Sequence, residues 1–486
     1  MYRLAPVLNV LCVVVMIFSV SLLFPLGWSL GLADGIALVY LEAMAASLLV
    51  GAAGWFSTRK YKRELTPRDG FLLVALVWTV LPAFATLPLM LHLKTLSFTD
   101  AYFETVSGLT TTGATVLVGL DQLPGSLNLW RGLLVWLGGM GVVVLAVAIL
   151  PLLGVGGSQI YKAETPGPMK DAKLTPRIAE TAKGLWLVYL LITIACLLSL
   201  KAGGMPTWTD AFVHTFSIMG LGGFSSHDDS FGFFQSATLD WIAVVFMLIA
   251  SFNFALHFLA FKKRSLRPHW QDPEARAFIV VITVSCLMLS GYLVLAGTYP
   301  DYWTALRYGT FNIVSIASTT GLVTTDYAQW PIFVPICMLF LSCFATCAGS
   351  TGGGIKMIRA LLLLKQAKRE LIRIIHPQAV VPVKLQGQVI ENNVIFSVLA
   401  FMLMYGGTII GMTLLLTATG LDVITSITAV VACINNMGPG LNQVGPATTF
   451  AVLTDFQTWI CTAAMLLGRL ELFTLIVIFT PAFWRK

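Results

Sequence analysis

Long apolar stretches alternate with short polar segments along almost the whole chain. Each stretch holds about 20 residues with few charges, the length that an α-helix needs to cross the hydrocarbon core of a bilayer. The pattern predicts an all-α polytopic membrane protein. Its ten expected spans lie at 7–29, 34–56, 70–93, 128–152, 184–202, 238–261, 277–298, 331–347, 394–418 and 451–482.

Composition agrees with this interpretation. Of the 486 residues, 57% are hydrophobic and 11% are charged, against roughly a quarter charged in soluble domains. A soluble globule could not bury so much apolar surface, and a disordered chain needs the opposite composition. The eight cysteines lie in apolar stretches without a CxxC pair, so we interpret them as buried apolar side chains. A soluble enzyme and a nucleic-acid-binding protein are both disfavoured.

Basic residues are concentrated at alternate ends of the spans. Five lie in each of the segments 59–68, 162–183 and 262–276, seven lie in 356–384, and Arg3, Arg485 and Lys486 complete the group of 25. The opposite connections hold Lys94, Arg131, Lys201 and Arg307. Because basic residues are retained on the cytoplasmic side of membrane proteins, both termini are predicted to be cytoplasmic.

Four outward connections resemble one another. Each carries a short apolar run that leads to a glycine, namely Gly113, Gly223, Gly321 or Gly438, and these glycines are 110, 98 and 117 residues apart. The four segments read DAYFETVSGLTTTGAT (100–115), DAFVHTFSIMGLGGFS (210–225), YGTFNIVSIASTTGLV (308–323) and ITAVVACINNMGPGLN (427–442). A repeat of this kind predicts four units, each made of a span, a re-entrant segment and a second span.

Re-entrant backbone is tolerated at membrane depth only where protein buries it or a water-filled cavity adjoins it. Four copies therefore predict four short helices around one axis, each followed by non-helical backbone. The carbonyl ends of these helices would favour a cation, and backbone carbonyls with threonine hydroxyls can replace its hydration shell. Asp100 and Asp210 suit the outer helix N-termini, as caps and as partners of the positive helix end.

The segments SGLTTTGAT (107–115), STTGLVTTDY (318–327) and INNMGPGLN (434–442) resemble the Trk/Ktr/HKT superfamily of potassium transporters, most closely its bacterial TrkH-type membrane subunits. The resemblance implies potassium uptake across the bacterial inner membrane, with potassium as the substrate and no prosthetic group. It also implies a homodimer and a cytosolic TrkA-type nucleotide-binding ring, without nucleic acid as a partner. It places the potassium filter at Thr111, Thr112, Gly113, Gly222, Gly223, Thr319, Thr320, Gly321, Asn436, Met437 and Gly438. The register of the second segment is open between Gly222 and Gly223.

A glycine-rich break interrupts the eighth span. Residues 346–354 read TCAGSTGGG, and an apolar helix resumes at 355. A close helix crossing through small residues is one interpretation, but consecutive glycines cost about 1 kcal/mol each in a helix. An unwound intramembrane loop is favoured, and the resemblance implies a gate there, formed by Gly349, Ser350, Thr351, Gly352, Gly353 and Gly354.

Arg469 lies within the last apolar stretch, where a central arginine costs about 2.5–3.5 kcal/mol on insertion scales. One interpretation is a structural ion pair with a carboxylate of another span, such as Glu42. The other is a positive charge beside the pore, on the cytoplasmic side of the filter, that limits cation flow and interacts with the loop. The resemblance implies the second role.

The predicted organisation is two N-terminal helices in 1–58, then repeats in 59–157, 158–266, 267–384 and 385–486. A sodium- or proton-coupled symporter is the alternative function, although such proteins favour inverted repeats and this chain shows four in the same direction. A membrane enzyme would need a cluster of catalytic side chains. The chain offers only scattered histidines such as His214 and His227, so no enzymatic activity is expected.

The charge asymmetry generates a test of topology. Single cysteines introduced at exposed positions in 59–68, 158–177, 262–276 or 365–384 should react with a membrane-impermeant maleimide only after the cytoplasmic face is opened. Labelling of any of these segments from outside intact cells would contradict the four-repeat topology.

Overall fold

A computed structural model of the chain describes residues 4–61, 63, 65–141, 178–385 and 388–485. Regular structure in these ranges is helical except for one antiparallel hairpin of β1 (Lys384–Leu385) and β2 (Gln388–Val389). The predicted all-α fold class is confirmed. The expected boundary at 157/158, and basic residues such as Arg3, Lys62, Lys162 and Lys486, lie outside the described ranges.

The helices follow one another with short connections. They are α1 (Ala5–Val20), α2 (Leu23–Leu32), α3 (Ala37–Thr58), α4 (Pro67–His92), α5 (Phe98–Leu109), α6 (Gly125–Met140), α7 (Ile178–Ala202), α8 (Trp208–Gly220), α9 (Ala237–Ser251), α10 (Phe254–Lys263), α11 (Arg267–Gln271), α12 (Pro273–Leu295), α13 (Tyr302–Ala317), α14 (Phe333–Phe344), α15 (Met357–Ile375), α16 (Asn392–Ala418), α17 (Val423–Ile434), α18 (Asp455–Arg469), α19 (Phe473–Ile476) and α20 (Pro481–Trp484).

Within the described residues, six helical segments are long and apolar enough to cross a membrane, and two bent pairs bring the number to eight. The fourth expected span is described only as α6, and the eighth is the 12-residue α14 that ends before the glycine-rich segment. The sixth and tenth expected spans are each divided into two helices. The chain bends by 95° between α9 and α10, and by 107° after α18.

Local chemistry explains both bends. At the first bend the backbone of Phe252 and Asn253 is extended, and the Asn253 side chain accepts a hydrogen bond from Ala255 N at 2.8 Å, which caps a new helix. At the second bend Glu471 and Leu472 have φ values of 51° and 58°. That left-handed conformation ends a helix, so α18 stops at Arg469.

A helix, a short helix and a second helix recur four times along the described residues. The short helices α5, α8, α13 and α17, which we call the pore helices, each pack between the helices that precede and follow them in the chain. The pairs are α4 with α6, α7 with α9, α12 with α14, and α16 with α18.

Contacts between the units are cyclic. The second helix of each unit packs on the pore helix of the next, so that α6 contacts α8, α9 contacts α13, α14 contacts α17, and α18 returns to α5. The N-terminal helices lie outside this ring, with α1 against α3 and α4 and with α2 against α6. The four units thus surround one axis, and their glycine-containing segments are directed toward it.

Candidate functional site

The four segments that follow the pore helices share one backbone conformation. Thr111, Leu221, Thr319 and Asn436 have φ values of 58°, 53°, 62° and 52°. The left-handed region is uncommon for residues other than glycine. Two residues later, Gly113, Gly223, Gly321 and Gly438 have φ values of 81°, 65°, 83° and 100°. This match sets the register of the second segment, in which Gly223 is the equivalent of Gly113.

Each segment is fixed to its own pore helix by an equivalent hydrogen bond. The amide between the two left-handed residues donates to the carbonyl five positions earlier, which lies in the last turns of the helix. The pairs are Thr112 to Ser107 at 2.8 Å, Gly222 to Ser217 at 3.0 Å, Thr320 to Ser315 at 2.7 Å and Met437 to Ala432 at 2.8 Å. The carbonyl end of each pore helix therefore adjoins its segment, with one of its free carbonyls satisfied.

The four segments approach one another so closely that side chains are excluded. A Cβ atom added to Gly113 would lie under 3.0 Å from the carbonyl oxygen of Gly222 in the second unit. The same overlap joins Gly223 to Thr320, Gly321 to Met437, and Gly438 back to Thr112. The contacts close a ring in the order one, two, three, four, one. We call the residues 111–113, 221–223, 319–321 and 436–438 the glycine ring.

The eleven filter residues predicted from the sequence all lie in this ring. Leu221 belongs to it too, although the sequence offered no signal for it. Its side chain differs in chemistry from Thr111, Thr319 and Asn436, and only the shared backbone conformation reveals the equivalence.

Polar side chains of three pore helices hold the non-helical backbone that follows the ring. Glu104, His214 and Asn312 each lie seven residues before the first left-handed residue of their unit. Glu104 accepts from Thr115 Oγ1 at 2.9 Å and Val116 N at 3.0 Å, His214 Nε2 contacts Ser225 Oγ at 3.0 Å, and Asn312 Nδ2 donates to Thr324 Oγ1 at 2.9 Å. The backbone beyond the ring is therefore held by its own pore helix.

Arg131 is not the loop residue that the charge count assumed. It lies within α6, it is 1% exposed, and it forms a buried ion pair with Glu104 at 2.8 Å. It also donates to the Ser225 carbonyl at 3.1 Å, which connects the first unit to the second. The sequence drew attention to Arg469 because it is a lone arginine among apolar residues. The same criterion could have identified Arg131.

The pore-helix caps also differ from the expectation. Ser97 and Thr207 are the N-caps, and their side chains accept from the amides of Asp100 and Asp210 at 3.1 and 3.0 Å. The two aspartates lie in the first turn, where a negative charge still favours the helix N-terminus. In the third and fourth units Asp301 and Asp422 are themselves the N-caps.

The side of the pore-helix N-termini, which we call the outer side, carries an open cavity above the ring. Gly113, Gly223, Gly321 and His227 contribute to its wall. Partial burial favours neutral His227, but hydrogen bonds from its ring to Asp210 and Asp121 outweigh this and raise the pKa of His227. Both His227 and the buried His214 are held by hydrogen bonds.

Arg469 lies on the opposite, inner side of the ring. Its guanidinium donates to Thr111 Oγ1 at 3.1 Å, to the Thr351 carbonyl at 3.0 Å, and to the carbonyls of Gly138 and Gly139 at the end of α6. It thus joins the ring, the glycine-rich loop and the first unit. Glu42, the alternative partner, is exposed on α3.

The glycine-rich loop packs directly against the inner face of the ring. The Gly353 amide donates to Thr319 Oγ1 at 2.9 Å, and Thr351 Oγ1 donates to the Met219 carbonyl at 3.0 Å. A Cβ on Gly353 would overlap the Asn435 carbonyl, and one on Gly352 would lie 3.0 Å from the Ser318 carbonyl. Loop contacts therefore reach the second, third and fourth units, while Arg469 reaches the first.

Two charges assigned to a cytoplasmic segment are buried beside the loop. Lys356 is 4% exposed and its Nζ donates to the Gly352 carbonyl, and Arg359 pairs with Glu471 at 2.5 Å. Their position at the start of α15, directly after the glycines, explains why a count of loop charges misplaced them.

Comparison with known proteins agrees with this arrangement. A family model described as TrkH, cation transport protein, matches residues 37–486. The Trk system potassium uptake protein TrkH of Vibrio parahaemolyticus is 45% identical, with 99% of each chain covered. The Escherichia coli proteins TrkH and TrkG are 45% and 38% identical, each with 97% of both chains covered.

A solved structure gives the same result. The crystal structure of the potassium transporter TrkH from Vibrio parahaemolyticus matches with a TM-score of 0.89 and 43% identity, over 99% of this chain and 100% of that one. The similarity covers the four units, the glycine ring and the loop alike. This chain belongs to the TrkH family of cation transport proteins.

Proposed function

We propose that this protein takes up potassium through a pore whose selectivity filter is the glycine ring. The observation that carries the proposal is the cyclic closure of four equivalent backbone segments around one axis. The relatives named above are potassium uptake proteins, and their family is one of transporters rather than enzymes. Potassium is the transported substrate.

Selectivity arises from oxygen atoms that replace the ion's water. The carbonyls of Thr112, Gly222, Thr320 and Met437 adjoin the glycine of the neighbouring unit all around the ring, and threonine hydroxyls extend the inner end. Backbone carbonyls in such rings coordinate a dehydrated cation. The negative ends of four pore helices add to the field that attracts it.

The glycine-rich loop and Arg469 form the gate. On the inner side the loop contacts the second, third and fourth units and Arg469 contacts the first, so together they cover the exit from the filter. A unit charge 4 Å from a potassium ion raises its energy by about 4 kcal/mol at an effective dielectric constant of about 20. Conduction requires the loop, and the arginine hydrogen-bonded to it, to move away from the axis.

The protein functions in the bacterial inner membrane as a homodimer, with both termini and the basic segments cytoplasmic. Lys365, Lys368 and Arg373 lie exposed on α15, which leads directly from the loop. An acidic face of a cytosolic TrkA-type ring docks on this helix and transmits nucleotide binding to the gate.

Capture of the ring by the detergent-solubilised protein should weaken as the salt concentration rises, because salt screens electrostatic interactions. Absence of capture at low salt would contradict this docking.

Rubidium uptake into proteoliposomes tests transport itself. Uptake driven only by a rubidium gradient, with no sodium or proton gradient imposed, supports the pore. Strict dependence on either gradient would support the symporter.

Replacing Gly113 or Gly321 by serine should abolish the preference for potassium over sodium. The added Cβ overlaps a carbonyl oxygen of the neighbouring unit, so the ring must widen. Relative permeability measured in reconstituted bilayers is the readout.

Gly297→Ser is the matched control. Gly297 has a φ of 72°, as left-handed as the ring glycines, but a Cβ there meets no atom within 4 Å. It carries the same backbone strain without crowding the ring, so its selectivity should stay at the wild-type value. Unchanged selectivity in both ring variants would remove these glycines from the filter.

Removing the inner charge should increase flux. Arg469→Ala and deletion of residues 349–353 should each raise rubidium flux in the absence of a regulator by about tenfold or more, since each 1.4 kcal/mol removed from a barrier is a factor of ten. Flux is normalised to folded protein in proteoliposomes.

Arg267→Ala, which removes an exposed arginine, serves as the control for loss of one arginine and should transport at the wild-type rate. Flux at or below the wild-type value in both gate variants, with protein that elutes as a single folded species, would contradict the gate.

A further inference from the structure

Glu274 holds both ends of the glycine-rich loop. It lies in the first turn of α12 and is 5% exposed. Its Oε1 atom accepts a hydrogen bond from the Ala348 amide at 2.8 Å and another from the Ile358 amide at 3.0 Å. One buried carboxylate oxygen thus bonds to backbone on either side of residues 349–354.

The two amides have different structural roles. Ile358 is the second residue of α15, where helix amides lack partners within the helix, so Glu274 also supplies a negative charge to the α15 N-terminus. Ala348 directly precedes the first loop glycine. In this conformation of the loop both ends lie within hydrogen-bonding distance of the same oxygen.

A second set of contacts anchors the first end of the loop. The Cys347 amide donates to the Ser251 carbonyl at 3.1 Å, and the Phe254 amide donates to the Gly349 carbonyl at 3.0 Å. These bonds use backbone groups that the bend between α9 and α10 leaves free. The Met357 amide at the start of α15 also donates to the Thr346 carbonyl at 2.7 Å, and Glu274 is the side chain that joins this anchored end to α15.

We propose that Glu274 is a positioning residue that keeps the loop against the filter, and that its two bonds must be rearranged when the pore opens. This inference rests on the proposed function, because it requires the loop to be the gate. Displacement of the loop separates Ala348 from Ile358 and leaves a buried carboxylate with too few donors, which disfavours the open state. Glu274 thereby couples loop position to both α12 and the exposed helix α15.

Rubidium flux and cysteine accessibility together test this role. Glu274→Ala should raise flux in the absence of a regulator roughly tenfold, which corresponds to about one hydrogen bond to a charged group. Glu274→Gln keeps an acceptor oxygen at the same reach and should stay near the wild-type flux. Glu391→Ala, which removes an exposed carboxylate, is the control and should not change flux.

Native Cys347 reports loop position independently of transport. It is 1% exposed, so its modification by a maleimide, followed by mass spectrometry, should be slow in the wild type and several-fold faster in Glu274→Ala. A purely structural role would change the melting temperature without this site-specific exposure. Should the alanine variant fail to fold, Glu274→Asp takes its place, since the shorter side chain cannot reach both amides.

Combination with the deletion of 349–353 separates this inference from the gate proposal. Wild-type flux in the deletion variant would overturn the gate itself. High flux in the deletion variant, together with wild-type flux and Cys347 labelling in the folded Glu274 variants, would overturn only the role of Glu274. If both proposals hold, Glu274→Ala adds no further flux to the deletion variant, because no loop remains to be released.

Discussion

The structure depends on how closely four non-helical backbone segments approach one another around one axis. The space between neighbouring segments is too small for a side chain. Non-helical backbone at membrane depth must be hydrogen-bonded inside the protein. Each segment bonds to its own pore helix and is held by the non-helical backbone that follows it. The overlap that a Cβ would cause at Gly113, Gly223, Gly321 and Gly438 shows that these partners leave no room for larger residues. The arrangement of the eight helices that flank the pore helices follows from this packing.

Buried and partly buried charges cluster on the inner side of the ring, where a cation would leave it. Arg469 bonds to the ring and the loop, Lys356 bonds to the loop, and Glu274 bonds to both of its ends. Each charge is costly to bury, and each is satisfied mainly by backbone groups rather than by another side chain. Such an arrangement is stable only while the loop keeps one shape, which suits a gate with two discrete states better than a gradually deformable one.

Much of this architecture could be predicted from the sequence, because the four glycine-terminated segments recur between apolar stretches and the TCAGSTGGG segment is unfavourable in a helix. The bends after Ser251 and Arg469 could not, since the first needs extended backbone at Phe252 and Asn253 and the second needs left-handed residues other than glycine. Leu221 was not predicted because it matches Thr111 in backbone conformation and not in side-chain chemistry. Arg131 and Lys356 were misplaced because a charge near a span end is solvated or buried according to its tertiary partners.

The central claim is that the glycine ring binds the transported ion on the axis of the four units. Anomalous diffraction from crystals grown with rubidium in place of potassium tests it directly. The account predicts a peak equidistant from the carbonyls of Thr112, Gly222, Thr320 and Met437, displaced by excess potassium. A rubidium site elsewhere, for example at the bend between α9 and α10, with an empty ring, would contradict it.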